Sequence, residues 1–234
     1  MNYTELVAAI QNYAEDNFDY ASTPSILNTF IQQAEQRIYN SVQFPSLRKN
    51  VTGTLTANNK YLSTPGDFLS TYSLAVIDGT GAYEYLLNKD VNFIRQAYPN
   101  PTSDTGLPKY YALFGPTTTS GGSPVITTEL TFILGPTPDS AYSVELHYFY
   151  YPESIVTAST SWLGDNFDTV LLYGSLVEAY TYMKGEQDMM ALYNQKYMEA
   201  LQLASRLGDG LERSDAYRSG QYRQAPLPQN SGVK

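Results

Sequence analysis

The sequence predicts an α+β fold: a four-helix bundle from the N- and C-terminal helices, an inserted antiparallel β-barrel or sandwich, and an extended C-terminal arm. Three observations carry this. Apolar residues recur at helical spacing over 1–46 and 160–210, short alternating runs punctuated by turns fill 47–159, and no period survives in 211–234.

In the first helix Leu6, Val7, Ile10, Tyr13 and Ala14 share one face, with Asn2 or Thr4 as cap. Thr23-Pro24 has the form of a second helix start, and Leu27, Phe30, Ile31, Ala34, Ile38 and Val42 continue it until Pro45; the two are expected to pair as a hairpin. From Leu47 the pattern changes to strands. The runs RKNVTGTLT, STYSLAVIDG, AYEYLL, KYYALF, ELTFIL and SVELHYFYY alternate, with turns at Ala57-Asn58-Asn59-Lys60 and Asp78-Gly79. A short helix, KDVNFIRQAY, is expected behind Asn88, and GPTTTSGGSPVITT reads as a polar loop. Helical spacing returns at WLGDNFDTVLLYGSLVEAYTYMK, capped by Asp165 or Asn166. Beyond a break at Gly185, the stripe Tyr193, Tyr197, Ala200, Ala204 and Leu207 leads to a stop at Gly208 and Gly210. None of these four amphipathic helices can bury its stripe alone, so a bundle is the economical solution.

Composition excludes several functions. The 234 residues include no cysteine, which removes disulfides, thiolate nucleophiles and cysteine-ligated metals. Glu5, Glu15 and Asp16 interrupt any signal-peptide pattern, and no apolar run reaches the ~18 residues of a membrane span. Residues 213–234 carry net +3, so residues 1–212 carry −12 of a total of −9. A body that acidic repels nucleic acid. The 22 tyrosines suit surfaces that are dry in one state and wet in another, which points to contacts between subunits.

Chemistry is sparse. His147 is the one histidine; it lies within a strand and reads as structural, and it leaves no partner for a histidine-based zinc site. The tetrapeptide DNFD occurs at 16–19 and 165–168, but neither copy has the ligand series of a calcium loop. Phosphate-cradling and serine-hydrolase motifs are missing. The pattern points away from an enzyme and implies no cofactor or metal.

The arm is different. Ordering a backbone costs roughly 1–2 kcal/mol per residue, and this segment has few apolar groups to bury on itself. Held by a partner, Tyr217, Tyr222 and Leu227 would anchor while Arg213, Arg218 and Arg223 bond carboxylates or carbonyls.

Three stretches, TPGDFL at 64–69, LGPTP at 134–138 and the WL…LLYGSLVEAY helix from Trp162, resemble the head-to-tail adaptor (connector) proteins of tailed bacteriophages. The similarity spans about residues 1–210. It implies a structural virion protein, assembled in the bacterial host cytoplasm: a dodecameric ring beneath the portal protein, with the arm inserted into the portal. The β domain would face tail nozzle, fibre or tail-tube proteins, and genome DNA would pass through without specific binding. Glu186 and Asp188, beside Gly185, are the candidate channel-lining carboxylates. The rival reading is a carbohydrate-binding module of a phage tail, using exposed tyrosines on the β domain.

Overall fold

A computed structural model describes residues 1–18, 25–115, 118–121, 123–126 and 130–213. Helices α1 (Tyr3–Ala14) and α2 (Ile26–Ser41) lead, through a 3-10 turn at Pro45–Leu47, into strands β1 (Arg48–Thr54), β2 (Tyr61–Ser63), β3 (Ser70–Ile77), β4 (Tyr83–Tyr85) and β5 (Leu87–Asn88). Helix α3 (Val91–Ala97) precedes β6 (Tyr110–Phe114), β7 (Thr118–Gly121), β8 (Ser123–Ile126), β9 (Thr131–Gly135) and β10 (Ser143–Phe149). Four helices follow: α4 (Ile155–Ala158), α5 (Trp162–Asn166), α6 (Asp168–Met183) and α7 (Gln187–Arg213). The fold is α+β, in two compact units: Met1–Pro45 with Ser154–Lys234, and Ser46–Glu153.

In the helical unit, Asn2 caps α1 through a capping box with Glu5. Ser25 caps α2, accepting from the Leu27 amide, whereas the expected pair Thr23-Pro24 lies outside the described residues. Helix α6 is the hub. It packs against α1, α2 and α7, and more extensively than α1 and α2 pack on each other, so the expected hairpin is held through a third helix. Gly174 makes this possible: a Cβ there would sit 3.2 Å from the Tyr197 ring of α7 and 3.3 Å from Ala34 of α2.

The single helix expected from Trp162 is two. Ser161 caps α5, the chain turns at Phe167, and the rings of Phe44, Trp162 and Phe167 pack at 5.2–5.5 Å around the corner. Between α6 and α7, Lys184 and not Gly185 adopts the left-handed conformation, at φ 54°. The Gly185 amide reaches back to Tyr180 O at 3.0 Å, closing a Schellman turn. Glycine is required at 185 because the Tyr180 ring would lie 2.6 Å from a Cβ. Helix α7 runs through Gly208 and Gly210 to Arg213, so residues 211–213 belong to a helix and not to the arm.

The other unit holds two four-stranded sheets, ordered β1-β10-β3-β4 and β2-β9-β6-β5, and a ribbon in which β7 pairs with β8. That ribbon occupies part of the expected polar loop. Neither sheet closes into a barrel, because each ends on strands with one unpaired edge. Among the named strands pairing is antiparallel except for β5 with β6. Asn88 belongs to β5; the α3 cap is Asp90, whose Oδ1 accepts from the Asn92 amide at 2.7 Å.

One apolar cluster draws on both sheets: Leu74, Val76, Val144, Leu146 and Tyr148 from the first, and Tyr111, Phe132 and Leu134 from the second. The second sheet is covered on its other face too, where Ile94 of α3 packs on Ala112 and Ile133. The first sheet has no such cover among the described residues.

Candidate functional site

With no catalytic constellation in view, the surfaces able to hold a partner define the site. The uncovered face of the β1-β10-β3-β4 sheet is built by alternation. Core-facing Val144, Leu146 and Tyr148 leave Glu145 and His147 on the opposite side of β10, beside Asn50 and Thr52 of β1 and Ser73 and Ala75 of β3. Glu145 is the centre. Asn50 Nδ2 donates to its Oε1 at 3.4 Å, and His147 Nε2 lies 3.6 Å from the same oxygen. Ser73 Oγ stands 3.4 Å from His147 Nδ1. The Tyr83 phenol is held above its usual range, first by its hydrogen bond to Glu145 and then by that carboxylate's charge. Tyr83 and Tyr85 share this face on edge strand β4, their rings stacked at 6.4 Å and 51% and 65% exposed.

Several polar groups of the helical unit are bonded internally. Glu35 is 3% exposed, and its Oε1 accepts from the Ile155 amide at 2.9 Å, tying α4 to α2. Burial raises its carboxyl above the ordinary value, against the lowering effect of the bonds from Ile155 and Ser154. Arg37 pairs with Glu178 across α2 and α6. Tyr13, Tyr173, Tyr180 and Tyr193 cluster edge-on or tilted, and burial pushes the Tyr193 phenol up to about 12. Tyr39, Tyr111, Tyr148, Tyr193 and Tyr197 are all buried inside the chain, so these five do not serve contacts between subunits. An open groove of about 480 Å³ runs along α7 past the end of α2, lined by Val42, Met198 and Leu201. Its one carboxylate, Glu199, is already bonded by Gln195 and Lys196.

The residues named from sequence fall in two places. Glu186 and Asp188 are exposed together at the start of α7, where their charge suits the free N–H groups of the first turn. Arg213 is the last residue of α7; Tyr217, Arg218, Tyr222, Arg223 and Leu227 lie outside the described residues. Of the DNFD copies, Asp16 accepts from the Phe18 amide, Asp165 lies in α5 and Asp168 in the first turn of α6, while Asp19 is outside the described residues. Among the described residues no group of three or more His, Asp or Glu side chains is placed to hold a metal, and no helix is long and apolar enough to cross a membrane.

The Glu145 network was beyond sequence reasoning, because it depends on the β1–β10 register. Glu35 did leave a signal: a charged residue inside the stripe Ile31, Ala34, Ile38 must be bonded internally.

A family model described as SU10 adaptor protein matches residues 1–225. The chain belongs to this family of phage head-to-tail adaptors. Among curated proteins none matches it. The adaptor is thus a structural phage protein and a virion component, and its family implies interaction with portal and tail proteins.

Proposed function

We propose that the adaptor forms a twelve-membered ring beneath the portal, that its C-terminal arm inserts into the portal, and that its β unit meets nozzle, fibre or tail-tube proteins. The observation that carries this is the reach of the family match. It continues to residue 225, past the end of α7 and through Tyr217, Arg218, Tyr222 and Arg223, so the match takes in the first part of the arm and stops short of Leu227. Multiplied around a ring, weak arms give firm attachment, since each further contact is intramolecular.

Charge supports the second half of the reading. The acidic body does not grip a passing genome, and Glu186 and Asp188, exposed at the α6–α7 turn, are the carboxylates proposed to line the channel. Truncation after Arg213 tests the arm. The shortened chain is expected to fold and stay soluble but to lose portal in co-purification; retention of portal would refute the arm as anchor. The stacked Tyr83–Tyr85 pair beside Glu145 is the feature that favours a carbohydrate-binding role instead. Glycan-array binding by the intact adaptor that Tyr85→Ala abolishes would promote that reading.

A further inference from the structure

We infer that neighbouring copies join edge to edge, β4 of one pairing antiparallel with β1 of the next, so that the uncovered sheet runs continuously from subunit to subunit. This rests on the ring proposed above and names the surface that closes it.

Strand β1 is the longest open edge among the described residues, with no proline along Arg48–Thr54. Its phase is fixed at both ends: the Leu55 amide bonds Tyr142 O at 2.8 Å, and the Tyr150 amide bonds Leu47 O at 3.0 Å. Odd-numbered residues therefore bond β10, and the peptide groups of Arg48, Asn50, Thr52 and Thr54 face the open edge. On β4 the Leu86 amide bonds Leu74 O and the Asp78 amide bonds Ala82 O, so even-numbered residues bond β3. The peptide groups of Tyr83 and Tyr85 face outward.

Both sets of outward peptides belong to residues whose side chains lie on the uncovered face, opposite Leu146 and Val76 of the core. Directly opposed residues of an antiparallel pair share a face, so joining the edges keeps both cores on one side. Direction agrees as well: the strands alternate along β1-β10-β3-β4, which leaves β4 antiparallel to the next β1. Charge selects the register. Glu84 is exposed and makes no ion pair among the described residues. Opposite Lys49, whose ammonium already bonds Asp67 Oδ2 at 2.9 Å, it becomes a second carboxylate on that cation, while Tyr83 meets Asn50 and Tyr85 meets Arg48. Two edges of one sheet that complement each other make a head-to-tail interface, the kind that closes into rings.

The absence of cysteine gives a clean test. In this register 49 and 84 form a non-hydrogen-bonded pair, with Cα atoms about 4.5 Å apart, within disulfide reach. Full-length adaptor carrying Lys49→Cys and Glu84→Cys together is assembled on portal, oxidised and run without reductant, beside each single variant. The double variant is expected to shift from the monomer band to a ladder of linked adaptors, and the single variants to stay monomeric. A monomer band from the double variant, in assemblies whose mass shows a complete ring, would overturn the edge pairing and leave the ring intact. Assemblies with no ring in the unmodified protein would overturn both.

Discussion

The two units of this adaptor hide different things. The helical unit buries selected polar groups: Glu35 and Ser175 are bonded to backbone, and four tyrosines meet edge-on or tilted. The β unit buries Phe68, Tyr111, Phe132 and Tyr148 but leaves Tyr61, Tyr72, Tyr83, Tyr85, Phe93 and Phe114 exposed, against Tyr13 and Tyr182 in the helical unit. A helix satisfies its own backbone and needs only its stripe covered, whereas a sheet leaves edge N–H and C=O groups that a strand of another chain can pair. Partners are therefore expected on the β unit and at the arm.

The strongest break of this contrast is Phe132→Ala, which empties the centre of the β core between Phe68 and Tyr111. It should cost about 3–5 kcal/mol in denaturant unfolding. Next is Glu35. Alanine there leaves the buried Ile155 amide unpaired, at about 1–3 kcal/mol. Glutamine keeps an acceptor and removes the charge. Because burial raises the Glu35 carboxyl in the folded state, the fold binds more protons than the unfolded chain just above the ordinary carboxylate range, and stability falls as pH rises through that window. Glu35→Gln should flatten this slope in unfolding curves recorded from acid to neutral pH; an unchanged slope would place its cause elsewhere. The smallest stability effect belongs to the exposed face. Tyr85→Ser should leave the melting temperature of the isolated chain unchanged while lowering the yield of assembled adaptor, and a fall in melting temperature would mean that this ring serves the monomer.

The helices were the legible part, since a 3.6-residue stripe survives any tertiary arrangement. Their boundaries were less so. The α5–α6 corner depends on Phe44 reaching Trp162 and Phe167 from far along the chain. Gly208 and Gly210 have the form of a helix stop but lie within α7, because the ~1 kcal/mol disfavour of each glycine is small against a 27-residue helix. In the β unit, alternation disclosed the strands but not their partners. Nothing local in Leu87-Asn88 announces a parallel pairing with Tyr110-Tyr111, and the convergence of Asn50, Tyr83 and His147 on Glu145 follows only from register. The family resemblance lay in short motifs such as TPGDFL and LGPTP; the candidate arm came from the failure of every pattern over 211–234.

Native mass of the portal, recorded alone, with the full-length chain and with the chain ending at Arg213, tests the adaptor reading most directly. The full chain should add twelve copies and the shortened chain none. A portal whose mass is unchanged by the full chain, or raised equally by both, would contradict it.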